Sequence, residues 1–222
     1  MSEWWTYRPS DFLLFAPRTY YRLFELYNAD IWPLQIVTVL AGVMILALMR
    51  TRAPRRGRAI AATLAACWLW IAWAFHWQRY TEINWAAGYF AVGFAIEALL
   101  LTWIGVVRDR LRFDSEPSVI ARIGVAIFVF ALVIEPLLGL LLGRDWRQAE
   151  VFGVASDPTA VATLALLLAA DRRNPIALPI PILWCLLSGT TLWVMHAADA
   201  LVLPMVASLV LLLSFRRSVQ RR

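Results

Sequence analysis

Two acidic residues, Glu97 and Glu135, lie inside long apolar runs of the sequence. A carboxylate at the centre of a membrane-spanning helix costs roughly 2.5 to 3.5 kcal/mol on insertion scales, and no arginine stands at mid-run to neutralise either one. The two side chains must therefore be protonated, hydrated or hydrogen-bonded. One interpretation is a pair that titrates protons or binds a solute. The other is two neutral acids that only join helices through polar partners such as Gln35, Thr38 or Ser188.

The two histidines, His76 and His196, come from different apolar runs, but we expect them at a similar depth near one membrane surface. Two imidazoles with a carboxylate suit zinc, and two imidazoles on facing helices can bracket a haem. No His-x-x-x-His or Cys-x-x-Cys spacing strengthens either hypothesis, and isolated interfacial histidines more often form ordinary hydrogen bonds. A metal site at these histidines is therefore the weaker hypothesis, and the cofactor is unknown.

Further polar residues are expected near the same surface. Asn84 lies in a loop, and Asp157 precedes Pro158 at the start of an apolar run, as the capping residue of a helix does. If that helix begins within the bilayer, the free amides near Thr159 direct a positive dipole end at a solute carboxylate or phosphate. Asp157 argues partly against this, because its own side chain can occupy those amides. The candidate solute-binding or proton-titrating residues are Glu97, Glu135, Gln35, Asn84, Asp157 and Thr159.

Hydropathy predicts the elements that position these residues. The chain of 222 residues is 61% hydrophobic and 16% charged, and several apolar runs reach the roughly 20 residues that cross a hydrocarbon core of about 30 Å. The alternation typical of a membrane barrel is not found. The sequence therefore predicts an all-α, polytopic integral membrane protein. We expect seven transmembrane helices near residues 31–49, 59–78, 85–107, 119–142, 158–173, 179–197 and 200–215.

The arginine distribution predicts the orientation of these helices. The 21 basic residues are all arginine, so a lysine Schiff base is excluded. Fifteen of them lie at one end of the predicted helices, in the segments that begin at Arg50, Arg108 and Asp171, at Arg122, and in the tail from Arg216. Because cytoplasmic segments carry the excess of basic residues, we expect the N-terminus outside and the C-terminus inside. Most tryptophans lie near the opposite surface.

This orientation predicts three segments and a location in the bacterial inner membrane. The segments are an extracytoplasmic amphipathic N-terminal segment (1–30), a seven-helix transmembrane domain (31–215) and a cytoplasmic arginine-rich tail (216–222). In the first, Tyr20, Phe24 and Tyr27 recur at helical spacing and predict a helix lying on the outer leaflet. Expected partners are membrane lipids, a small-molecule solute and partner membrane subunits. Nucleic acid is not expected, since topology and anionic lipid explain the arginines.

Several short motifs carry a family resemblance. They are YN (27–28), WPLQ (32–35), INWAA (83–87), FGVASDPT (152–159) and IPILW (180–184). Together, over nearly the whole chain, they resemble a bacterial family of multi-pass membrane proteins catalogued as domain of unknown function 6064. The resemblance implies the same helical membrane fold but no activity. In that family a glutamine often stands at the position of Glu97 and an aromatic residue at that of Glu135, so a mechanism requiring both charges would be special to this chain.

The sequence leaves three functions open. The first is binding or transport of a small solute through an outward-facing vestibule. The second is a non-catalytic accessory or scaffold subunit of a membrane complex. The third is a metal- or haem-dependent membrane enzyme that uses His76 and His196, and it is the less favoured hypothesis because neither histidine lies in a specific metal-binding motif. No phosphate-binding glycine loop, nucleophile elbow or kinase signature is present.

Overall fold

The computed structural model describes residues 15–113, 117–172 and 174–219, and these residues form helices joined by short turns, without a strand. The all-α prediction is confirmed. The helices are α1 (Pro17–Asp30), α2 (Leu34–Arg50), α3 (Arg56–Trp70), α4 (Ala87–Leu101), α5 (Val119–Val129), α6 (Glu135–Leu141), α7 (Ser156–Ala169), α8 (Pro179–Val194) and α9 (Val202–Val219). Segments of π-helix continue α3 (Ile71–Trp77) and α4 (Thr102–Val107) and join α5 to α6 (Phe130–Ile134).

Four helical stretches are long and apolar enough to span a membrane. They are Arg56–Glu82, Ala87–Val107, Val119–Leu141 and Pro175–Val194. A fifth span results if α1 and α2, which are bent by 88° at the break between them, count as one. The prediction of seven spans is therefore wrong for the described part of the chain. The predicted spans 158–173 and 200–215 correspond to the shorter apolar helices Ser156–Ala169 and Val202–Arg216.

Helix α7 lies at the centre of the fold, which explains the error. All of its 14 residues are buried, and it packs against α5, α8 and α9. With a rise of 1.5 Å per residue it is about 21 Å long, short of the hydrocarbon thickness. A helix that is apolar on every side can be surrounded by protein or by lipid, and hydropathy gives the same value for both.

Helix α1 exists as predicted, and its aromatic face packs on the protein. Phe24 stacks on Phe75 with 4.9 Å between ring centroids, and the Tyr27 hydroxyl donates to the carbonyl of Val154 at 3.0 Å. The amphipathic pattern therefore identified a buried face, and the location of this helix on the outer leaflet stays a prediction. Residues 1–14 of the predicted N-terminal segment lie outside the described residues.

The two ends of the helical bundle differ in composition. The connections after α2 and α4 and the start of α5 carry Arg50, Arg108 and Arg122, and we call this the arginine-rich end. The opposite end carries exposed tryptophans, and we call it the tryptophan-rich end. These tryptophans are Trp32, Trp77, Trp85, Trp146 and Trp193.

Gly124 allows α5 and α7 to pack at a short distance from each other. A Cβ at this position would lie 2.7 Å from the carbonyl oxygen of Ala165 and 2.8 Å from the amide nitrogen of Ala169, both backbone atoms that cannot move aside alone. Small residues allow such close contact between helices in membranes.

We expect Gly124→Ala to lower the free energy of unfolding by about 1 to 3 kcal/mol, because the added methyl forces α5 and α7 apart. Thermal unfolding of the purified protein in detergent measures this. Gly93→Ala is the matched control, since no atom lies within 4 Å of its added Cβ. The control should gain up to about 1 kcal/mol from helix propensity, and equal losses in both variants would contradict the packing argument.

Candidate functional site

A buried polar network surrounds the first turn of α7 at the tryptophan-rich end. Asp157 is 3% exposed, and its two carboxylate oxygens each accept a hydrogen bond of 2.7 Å, one from Trp184 Nε1 and one from Ser188 Oγ. Both donors belong to α8. The expectation that Asp157 caps its own helix is wrong, since α7 begins at Ser156 with no side-chain cap and the carboxylate turns to α8 instead.

Thr159 closes the turn that precedes α7. Its hydroxyl accepts from the Gly153 amide at 2.8 Å and donates to the Ala155 carbonyl at 2.7 Å. Gly153 has a φ of +84°, a left-handed conformation that favours glycine. The turn therefore folds over the N-terminus of α7, and Thr159 itself is fully buried. The binding of a solute anion by the amides near Thr159 stays a prediction.

The two histidines lie in different environments. His76 is buried, its Nε2 lies 3.0 Å from Ser156 Oγ, and its ring packs against Phe94 and Trp184. Its Nδ1 has no hydrogen-bond partner. His196 is exposed in the turn after α8. In residues 15–113, 117–172 and 174–219 no three His, Cys, Asp or Glu side chains converge as a metal site requires, and no contact joins the two histidines.

Four carboxyl groups interact electrostatically around the start of α7, and we call them the acid cluster. They are Glu135, Glu150, Asp157 and Asp199. The cation that acts on this cluster is Arg144, which forms an ion pair with Asp199 and donates to the Tyr21 hydroxyl at 3.3 Å. Since one guanidinium balances one carboxylate, the cluster holds more acidic groups than Arg144 neutralises.

Glu150 shows the effect of this imbalance. It lies between α6 and α7, and burial raises the pKa of its carboxyl group well above the ordinary value for glutamate. The charges of Asp157 and Asp199 raise it further, while Arg144 opposes the shift. Burial and the neighbouring acids therefore both favour the protonated form of this carboxyl group.

Several acceptor oxygens in this region have no hydrogen-bond partner within the described residues. They are both carboxyl oxygens of Glu135, Glu150 Oε2, Asp199 Oδ1 and Gln35 Oε1. A buried acceptor left unpaired costs about 1 to 3 kcal/mol. Thr38 and Ser188, considered as partners for the glutamates, bond elsewhere, to the Gln35 carbonyl and to Asp157. The described residues therefore leave acceptor oxygens in this region without a donor.

An open cavity of about 670 Å³ lies beside this region, between α1, α2, α6 and the segment 146–151. Trp32, Leu137, Leu140 and Trp146 give it a largely apolar wall, and Gln35 contributes a polar group. Three further lining residues adjoin the acid cluster: Pro136 follows Glu135, while Ala149 and Val151 flank Glu150.

The remaining candidates lie apart from the cavity. Within the described residues Glu97 is fully buried in α4 without a hydrogen-bond partner, and the acid cluster does not include it. Asn84 organises the turn before α4, where its Oδ1 accepts from the Ala86 amide at 3.0 Å. The acid cluster thus contains the candidates Glu135 and Asp157, whereas Glu97 and Asn84 do not line the cavity.

Comparison with known protein families identifies the family of this chain. The model of a family of unknown function, DUF6064, matches residues 18–222. The chain belongs to this family. The resemblance carried by the sequence motifs is confirmed. No curated protein and no solved structure matches the chain.

Sequence reasoning missed two residues of this DUF6064 site, Arg144 and Ser156. Arg144 was identifiable from its position in the sequence. It lies near the predicted outer ends of the helices, where arginines are few and carboxylates are common. Ser156 offered no signal, because a serine before an aspartate is ordinary at a helix start.

We expect Ser188→Ala to lower the free energy of unfolding of this DUF6064 chain by about 1 to 3 kcal/mol, because it leaves one oxygen of buried Asp157 without a donor. Thermal unfolding in detergent measures the loss. Thr190→Ala on the same helix is the control, since the Thr190 hydroxyl is exposed and bonds only its own helix at Leu186. The control should change stability by less than about 0.5 kcal/mol, and a wild-type stability for Ser188→Ala would refute the role given to Asp157.

The raised pKa of Glu150 predicts a pH dependence. Below 4.5, the ordinary glutamate value, folded and unfolded states are both protonated. As pH rises towards the folded pKa only the unfolded state ionises, so stability falls with pH, by at most about 1.4 kcal/mol per pH unit for one proton. We expect Glu150→Gln to flatten this fall in unfolding experiments across pH. Glu82→Gln, exposed at the same end, should leave the slope as in the wild type, and an unchanged slope in Glu150→Gln would contradict the assignment.

Proposed function

We propose that the chain is an integral membrane protein that binds a small amphiphilic solute in the cavity of about 670 Å³ at its tryptophan-rich end. The observation that carries the proposal is the surplus of unpaired acceptor oxygens beside this cavity. An apolar wall with few polar groups is typical of small-molecule sites.

The polar groups favour a solute with a hydrogen-bond donor, such as an amine. Gln35 lines the cavity, and its amide nitrogen already donates to the Asn28 carbonyl at 2.9 Å, which leaves Oε1 to accept. Behind the wall Asp157 accepts two hydrogen bonds as a carboxylate, and Arg144 is already paired with Asp199, so the surroundings favour a cation over an anion. The cations that line the cavity are Arg22 and Arg147. Their charge is partly compensated, since Arg22 pairs with Glu25 at 2.5 Å.

The orientation makes the cavity outward-facing. We place the arginine-rich end in the cytoplasm, because segments rich in arginine remain on that side of a bacterial inner membrane. The exposed tryptophans at the other end then lie at the outer interface, where an indole ring is well accommodated. The cavity opens between these tryptophans and receives the solute from outside the cell.

A matched pair of probes tests this proposal. We expect phenethylamine to bind the protein in lipid nanodiscs at least tenfold more tightly than 3-phenylpropionate, as measured by calorimetry. Gln35→Leu should weaken phenethylamine binding about tenfold, because a hydrogen bond to a bound donor is worth about 1.5 kcal/mol. Leu99→Ala, which alters a strongly exposed residue of α4, should retain the wild-type affinity.

Equal binding of both probes, or Gln35→Leu binding as the wild type does, would refute the acceptor argument. If neither probe binds, the proposed amine-binding site is refuted. Copurification of stoichiometric membrane subunits in that case would favour an accessory role.

A further inference from the structure

A second cavity, of about 460 Å³, lies at the arginine-rich end, on the opposite side of the molecule from the proposed solute site. It is bordered by α2, α5, the loop before α5 and the end of α7. Its lining residues are Leu46, Met49, Arg50, Arg52, Phe113, Pro117, Ala121, Arg122, Val125 and Ala169.

Three guanidinium groups, those of Arg50, Arg52 and Arg122, line this cavity. Across residues 15–113, 117–172 and 174–219 none of them forms an ion pair; Asp114 and Glu116 lie outside these ranges. Asp109, an acid at the same end, pairs instead with Arg58 and Arg112. The cavity therefore concentrates positive charge from three arginines that have no ion pair within the described residues; Asp171, a further acid at this end, follows the end of α7.

The wall opposite α2 is held in place by backbone contacts. Arg56 donates to the carbonyl of Phe113, and the Asp171 amide donates to the carbonyl of Arg112 at 2.8 Å. The Leu111 carbonyl packs closely against Gly57, where a Cβ would lie 1.7 Å from that oxygen. The loop that carries Phe113 is thus fixed against α3 and the end of α7, and the cavity is a built feature of the fold.

The inner part of the cavity is apolar and leads to the lipid-facing surface. Leu46 on α2 and Val125 on α5 line it, and about one turn further along each helix Val43 and Val129 are exposed. A molecule with an anionic head and an apolar chain matches both parts. The C-terminus of α7 at Ala169 adds about half a negative charge, which three guanidinium groups outweigh.

We propose that this cavity binds the phosphate group of an anionic phospholipid, with Arg50, Arg52 and Arg122 around the phosphate and one acyl chain along Leu46 and Val125. Guanidinium groups pair with phosphate in bidentate geometry. The lipid joins α2 to α5 at the membrane surface. This inference is independent of the solute site at the other end.

Native mass spectrometry of the full chain, titrated with phosphatidylglycerol or phosphatidylcholine, tests the proposal. We expect phosphatidylglycerol to bind at least tenfold more tightly. The triple variant Arg50→Gln, Arg52→Gln, Arg122→Gln should bind it on the order of a hundredfold more weakly, given several-fold per arginine. A control with the same charge change away from the cavity should stay within about threefold of the wild type. Its substitutions are Arg55→Gln, Arg172→Gln and Arg216→Gln.

The single variant Arg52→Gln keeps the test decisive if the triple variant unfolds, and should weaken binding about fivefold. Equal affinity of the wild type for the two lipids, or equal losses in the cavity and control variants, would overturn the proposal. Displacement of phosphatidylglycerol by millimolar glycerol 3-phosphate would also overturn it, since the ligand would then be a soluble phosphate compound.

Discussion

Buried Asp157 links α7 to α8 through two hydrogen bonds of 2.7 Å, and its charge influences the other acids of the cluster. A carboxylate in an apolar interior is tolerated only where such donors are already oriented. Trp184 and Ser188 must therefore face α7, which fixes the rotation of α8 about its own axis. The same turn of α7 holds Ser156 against His76, so α3 and its π-helical extension are tied to this point as well.

The helices were predictable from the sequence because apolar runs and the arginine-rich segments between them extend over many residues. An error of a few residues in a boundary does not change which helices are predicted. The observed bounds lie close to the predicted ones for α2 and α8, for α3 and α4 with their π-helical continuations, and for the continuous stretch from α5 to α6. The number of spans was not predictable in the same way. Helix α7 differs from a true span in what surrounds it, and contacts with surrounding helices are not encoded in its own residues.

The candidate site was also predictable only in part. Glu135 and Asp157 were identifiable, because carboxylates in apolar runs are unusual and usually functional. Their interaction with Glu150 and Asp199 was not, because it depends on how α6, α7 and the turn after α8 pack. The cavity walls come from α1, α2, α6 and a loop that are far apart in sequence, and only the folded chain brings them together.

The complete burial of α7 also constrains how the protein is assembled. In the membrane location proposed for this chain, a helix enclosed by protein on every side gains little from entering the bilayer by itself, and Asp157 would enter it without the two donors on α8. Stable insertion of α7 is then expected only after α8 has been synthesised. Assembly in that location is cooperative between helices, because α8 and α9 complete the packing around α7.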